Sequence, residues 1–314
     1  MPDDVRMEPA ATTKWQPAPE RLAPPTTGVD DLYVIGHLGI ARVPGHSWRL
    51  RVHGREFTLD ELRALPGTEV QAVLECFGNP LRPDEPVRRA GNVVWRGVPV
   101  ATVLDLADAP EGPLLWAEGA DSGVFDGTPC SEYLKDLPLD VVRDRGVLAY
   151  ECNGEPLTAE HGFPVRLFVP GYFGTNNVKW LRSLTVADRR PEHLFTTTLY
   201  QRVPPGGGDP EPVRDLDVTS LVTDVHREGA TVRVTGWAWG SAPVVGVEVG
   251  LGGRWAEAAL SAPVGGPHGW RGFTTTVVPG PGEDVVVVRA RDDAGRRQPL
   301  EGVRNACHAV PVPL

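Results

Sequence analysis

The chain has 314 residues, with 31 Lys+Arg against 41 Asp+Glu and a formal net charge of -10 at pH 7. That balance excludes nucleic acid and anionic membrane as principal partners and leaves room only for a locally positive pocket. At about 150 residues per domain the length predicts two domains, and 36 Gly with 32 Pro predict short strands and turns rather than long helices. Cys76, Cys130, Cys152 and Cys307 are widely spaced with no CxxC pair, which fits reduced thiols better than a disulfide framework or a zinc site. The N-terminus lacks both a basic n-region and an apolar h-region, and no apolar run nears the roughly 18 residues of a membrane span. Cytoplasmic residence is the expectation that follows.

Residues 1–27 are rich in Pro, Ala and Thr and are expected to form an extended N-terminal arm. Thr58-Leu59-Asp60-Glu61 has capping-box spacing and predicts a short helix through Leu62 and Leu65. Residues 70–74 read as a buried strand that Gly78-Asn79-Pro80 ends, leaving Cys76 at the break. A cysteine there is either a small buried hydrophobe or a thiolate held on a rigid element, where it suits a transition metal or nucleophilic attack. Residues 92–108 read as a strand at 93–95, a turn at Gly97-Val98-Pro99 and a helix from Val100 to Leu106. Cys130 reads as a half-exposed thiol in a loop. Residues 147–150, 165–169 and 178–184 add strands, so 28–205 is expected to be an α+β domain.

The run Pro204-Pro205-Gly206-Gly207-Gly208-Asp209-Pro210 is a linker by composition. Beyond it, residues 231–235, 245–251, 273–278 and 285–290 alternate or are β-rich, punctuated by Gly and Asp turns. Short strands with Trp237 and Trp239 predict an immunoglobulin-like all-β sandwich over 211–314.

The densest polar cluster starts at Tyr150-Glu151-Cys152-Asn153-Gly154-Glu155-Pro156 and continues in His161-Gly162-Phe163-Pro164-Val165-Arg166 and Val178-Lys179-Trp180. His161, Arg166 and Lys179 distribute donors around an apolar strand and a Gly-rich loop. A guanidinium offers phosphate a planar fork, an ammonium offers a point charge, and Gly-rich turns bring backbone N–H groups close to an anion. The spacing is compatible with a phosphate-bearing cofactor but has neither the dinucleotide nor the P-loop glycine fingerprint. Surface charges with a core histidine would produce the same pattern.

These segments resemble the hallmark of the sulfite oxidase family of molybdenum enzymes, with Cys152 in place of the family's methionine. Leu74-Glu75-Cys76-Phe77-Gly78-Asn79 resembles the family's LECAGN, and Asn92-Val93-Val94-Trp95-Arg96-Gly97-Val98-Pro99 resembles its GN-x-x-W-x-GVPL. Gly236-Trp237-Ala238-Trp239 and Asn305-Ala306-Cys307-His308 look like its C-terminal dimerisation domain. The resemblance covers roughly residues 30–314 and implies a molybdopterin-binding domain followed by an immunoglobulin-like dimerisation domain. It implies that Cys76 binds molybdenum, and that Tyr33, His37, Asp121, His161, Arg166, Asn177, Val178 and Lys179 hold the pterin and its phosphate. Tyr200 would be the active-site tyrosine and Trp95 would line the substrate pocket. The implied cofactor is molybdenum-molybdopterin without haem in this chain, and the implied partners are a small-molecule substrate, a separate electron-transfer protein and a second copy of the chain.

The substrate-binding pattern departs from the family's. Its aromatic-x-Arg-Asn-His stretch reads Tyr33-Val34-Ile35-Gly36-His37 here, and the arginine pair after CAGN reads Pro80-Leu81. Arg82 and Arg271 are the candidates to replace these guanidinium groups. Losing a charge-assisted anion contact removes about 1.5–3 kcal/mol, so the expected reaction is oxygen-atom transfer on something other than simple sulfite. Sulfite oxidase proper, an S- or N-oxide reductase, and an inactive cofactor-binding or interaction module are the alternatives.

Overall fold

Thr58 starts the helix that its spacing predicts. In the computed structural model, which describes residues 5–8, 14–204, 206–302 and 304–313, helix α1 spans Leu59–Ala64. The Thr58 hydroxyl accepts from Glu61 N at 3.1 Å and the Glu61 carboxylate accepts from Thr58 N at 2.7 Å, so two orphan donors are satisfied reciprocally. Leu59 and Leu62 then enter the same apolar core as Trp48, Leu50 and Phe57.

The chain divides into two compact units, one of residues 1–15, 34–70 and 94–214, the other of residues 16–33, 71–93 and 215–314. Linker composition draws one cut near 205–210; the compact units are interleaved, with borders inside the strands Thr68–Glu75 and Ala90–Pro99.

In the first unit a five-stranded sheet runs in the order Leu134–Pro138, Leu114–Gly119, Leu181–Ala187, Leu50–Val52, Arg55–Phe57. Its one parallel pairing sets Ser183 beside Arg51, and the rest are antiparallel. Helices α2 (Val100–Leu106) and α3 (Leu139–Arg145) add Val103, Leu104, Leu139 and Val142 to the core. Each such fully buried aliphatic side chain stabilises the fold by about 1.5–3 kcal/mol. A second sheet pairs Val147–Cys152 with Arg166–Phe168, with Glu155–Pro156 and with the 95–99 stretch.

Three local expectations change. Gly97 lies inside a strand, not a turn: a Cβ there would stand 2.1 Å from Leu148 O, so the missing side chain lets the neighbouring strand approach. The strand expected from 178 begins only at Leu181, because Trp180 adopts φ 48° and its indole donates to Ala159 O at 2.8 Å. Cys130 is buried, not half-exposed, because its strand Thr128–Cys130 pairs with Gly123–Phe125.

The second unit holds two four-stranded antiparallel sheets. One is ordered Thr219–Glu228, Thr231–Trp239, Arg271–Val277, Ala259–Pro263, the other Arg254–Glu257, Val244–Leu251, Val285–Asp292, Ala309–Pro311. Val232, Val234 and Phe273 of the first share one core with Val247, Val249, Val286 and Val288 of the second. The N-terminal arm, of which residues 1–4 and 9–13 lie outside the described residues, is extended at Arg6–Glu8 and Lys14–Trp15. Farther on it is tied to this unit: Leu22 is fully buried, Trp237 Nε1 donates to Leu22 O at 2.8 Å, and Trp270 Nε1 donates to Pro25 O at 2.9 Å. Among the described residues no helix is long and apolar enough to cross a membrane.

Candidate active site

Arg166 opens the strand Arg166–Phe168 and is buried with its charge. Its guanidinium donates to His161 O at 3.2 Å and Asn177 O at 3.1 Å and lies 4.8 Å from the ring centre of Trp95. Trp95 is completely buried and stacks on Phe168 at 4.7 Å, so the cation rests on a rigid aromatic pair. Asn177 is held in turn, its Oδ1 accepting from Val169 N at 2.7 Å and its Nδ2 donating to Tyr172 O at 3.2 Å. Val178 O accepts from Leu167 N at 2.8 Å, which sets Lys179 beside the strand.

Lys179 Nζ donates to Ile35 O at 3.0 Å and Glu160 O at 2.9 Å. Gly162, at φ +105°, makes room for it: a Cβ there would sit 3.0 Å from Lys179 Cβ and 3.2 Å from Arg166 Cβ. Burial pushes the Lys179 ammonium below its ordinary range and the Asp121 carboxyl above its own, and the opposite charge of each holds against that shift. His161 Nδ1 lies 2.9 Å from Thr158 Oγ1. Asp121 Oδ1 and Trp95 Nε1 are buried with no hydrogen-bond partner among the described residues. Orphaned buried polar atoms call for a ligand or water.

A second cluster surrounds His37. Its Nε2 lies 2.5 Å from the Tyr200 hydroxyl, and its ring meets Phe125 edge-on at 4.9 Å and stacks on Phe195 at 5.7 Å. Lys135, which sequence reading missed, is buried here; its Nζ donates to Phe195 O at 2.7 Å and lies 5.3 Å from the Tyr200 ring centre. Nothing in its spacing marks it, since a lysine in a short strand reads as solvent-facing. Lys179 reaches toward this region through its bond to Ile35 O.

Cys76 belongs to the second unit, as does Tyr33, so neither is grouped with the clusters above. The cysteine follows the strand Thr68–Glu75, is partly buried, and donates its N–H to Arg89 O at 2.8 Å. Burial pushes its thiol up, while Gly78 N–H, Arg89 and Arg304 oppose that shift. Arg304 itself lies over Phe77 at 4.5 Å and pairs with Asp217. Of the candidates for the missing arginines, Arg82 is exposed, and Arg271 donates to Ser261 O and Val244 O, both at 2.7 Å.

The first unit's residues fit a molybdenum–pterin group. The buried guanidinium of Arg166 and the half-buried ammonium of Lys179 match phosphate oxygens, and the orphaned Asp121 oxygen matches the N–H donors of a pterin ring. A family model described as oxidoreductase molybdopterin binding domain matches residues 37–195, just over half of the chain. Mitochondrial sulfite oxidase of Drosophila melanogaster is 29% identical over 337 residues, covering 90% of this chain and 58% of its own. An NADH nitrate reductase of Phaseolus vulgaris is 30% identical over 283 residues, 74% of this chain and 31% of its own. The chain thus spans about three fifths of the fly relative's length and a third of the bean relative's. The crystal structure of the sulfane dehydrogenase SoxCD from Paracoccus pantotrophus superposes with a TM-score of 0.80 at 26% identity, covering 94% of this chain and 86% of the other. Motifs, buried donor set, family match and superposition agree, and the chain belongs to the sulfite oxidase family of molybdenum-cofactor oxidoreductases.

Proposed function

We propose that this protein catalyses oxygen-atom transfer and that its substrate is not simple sulfite. The observation that carries the reading is Ile35: an aliphatic side chain stands where the family has an anion-binding arginine, while the buried cofactor-holding set is retained. Its backbone carbonyl is engaged by Lys179, Arg82 is exposed and Arg271 is committed to carbonyls of its own unit. The relatives' names span sulfite, nitrate and sulfane chemistry, so family membership leaves the substrate open.

When bound, the molybdenum–pterin group supplies the two-electron, oxygen-transferring chemistry. In this reading Arg166, Lys179 and His161 neutralise and orient the phosphate, with Asn177 and Val178 setting the backbone that carries them. Asp121 accepts from the pterin, and Tyr33 and His37 complete its surroundings. Trp95 supports the Arg166 guanidinium and forms part of the pocket wall. Cys76 supplies the thiolate that binds the metal, a soft donor that tunes it. The Tyr200 hydroxyl, hydrogen-bonded to His37, holds or moves a proton at its phenolic oxygen. The two sheets with one shared core support an immunoglobulin-like sandwich, which we assign as the dimerisation module of a cytoplasmic homodimer that passes electrons to a separate protein.

A reductase of organic S- or N-oxides is the second reading, favoured by the nitrate reductase relatives. Protein made in a cofactor-competent host is expected to carry stoichiometric molybdenum and pterin, to turn sulfite over poorly, and to respond in a screen of thioethers, sulfoxides and N-oxides. Absence of molybdenum sinks the enzyme reading, and rapid sulfite oxidation with a micromolar KM sinks the substrate reading.

A further inference from the structure

Glu75 precedes Cys76 and is completely buried, where a carboxyl group without partners would be costly. Both of its oxygens are used. Oε2 accepts from Trp239 Nε1 at 2.8 Å, and Oε1 accepts from Asn79 Nδ2 at 3.0 Å. Trp239 is buried at the end of the strand Thr231–Trp239, so one arm of the network is anchored in a sheet. The other arm returns to its start: Asn79 Oδ1 accepts from Arg89 N at 2.6 Å, and Arg89 O accepts from Cys76 N at 2.8 Å.

We propose that Glu75 is a positioning residue for the Cys76 thiol, clamping the turn at 76–80 to the sheet tryptophan so that the direction of the sulfur is fixed before a metal arrives. The inference rests on Cys76 being the molybdenum ligand. A cysteine just past a strand end is aimed by its own χ1 and by the backbone of the turn, and small misplacements at a reacting centre cost large factors in rate. A carboxylate suits the task because it accepts at two oxygens. Glutamine offers one acceptor and one NH2 group, so it turns a donor against either Trp239 or Asn79.

The test uses the full chain in cofactor-free and cofactor-loaded forms, with Glu75→Gln and Trp239→Phe. In the cofactor-free chain, alkylation by iodoacetamide is followed cysteine by cysteine with mass spectrometry. The buried Cys130, Cys152 and Cys307 report general loosening. The expected result is a rise of about tenfold at Cys76 alone in both variants, the loss of one buried hydrogen bond, and a changed Mo(V) paramagnetic signal in the loaded variants. An unchanged Cys76 rate, or an equal rise at all four cysteines, overturns the proposal. Should Glu75→Gln fail to fold, Trp239→Phe alone decides by the same readout. A Mo(V) paramagnetic signal in Cys76→Ser identical to that of the wild type would instead overturn the ligand reading on which the inference rests, and it does not alter the alkylation result.

Discussion

The Tyr200 hydroxyl stands 2.5 Å from His37 Nε2, and the rings of Phe125 and Phe195 wall off the imidazole. Removing the hydroxyl takes away the atom that we propose handles the proton and leaves the ring in place. Tyr200→Phe is expected to lower kcat by about 100-fold, a typical contribution of a positioned acid–base group, with molybdenum content unchanged. Steady-state kinetics beside metal analysis checks both halves. Unchanged kcat would remove Tyr200 from the chemistry.

Lys179 is half-buried, its ammonium bonded to two backbone carbonyls and flanked by the charges of Arg166 and Asp121. Lys179→Met keeps the aliphatic stem and deletes the charge that we propose faces an anionic cofactor. Its purified form is expected to hold a small fraction of the wild-type molybdenum and pterin, read by elemental analysis and by the fluorescence of oxidised pterin. Full retention would assign the phosphate to other residues.

Ile35 is half-buried on the short strand Val34–Ile35. Restoring a guanidinium there with Ile35→Arg is expected to lower the KM for sulfite by about tenfold, the lower end of a charge-assisted hydrogen bond. An unchanged KM would show that the position does not face the substrate.

Burial draws the Lys135 ammonium down from 10.5 to about 7. Between those values the unfolded chain holds a proton that the folded chain lacks, so this group makes stability rise with pH across that window and fall as pH drops toward 7. Lys135→Met removes the titration. The Tm of the variant minus that of the wild type is therefore expected to be most favourable near about pH 6 and to decline by about pH 9.5. A pH-independent difference would mean that the lysine is not desolvated.

Where local chemistry decides, the sequence was sufficient to read the outcome. The Thr58 capping box yields α1, and alternating residues yield the long strands of the C-terminal half. The cationic donors were legible because they lie in motifs of distinctive order, and Arg166 and Lys179 do meet around Gly162. Long-range partnership was not legible. Trp237 reaches Leu22 across 215 residues and Trp270 reaches Pro25 across 245, and no local pattern announces either. Lys135 escaped for a related reason: the strand Leu134–Pro138 buries consecutive residues, so alternation says nothing about where its lysine points.

The interleaving of the two units bears on the order in which the protein is made. The turn that carries Cys76 depends on Trp239, and Leu22 and Pro25 depend on Trp237 and Trp270, all far downstream. On the ribosome, then, the early segments 16–33 and 71–93 emerge long before the sheets that will hold them. The thiol acquires its final surroundings only after residue 239 has been made. A nascent or truncated chain ending before residue 215 accordingly presents that cysteine without the Trp239 contact of its neighbour Glu75.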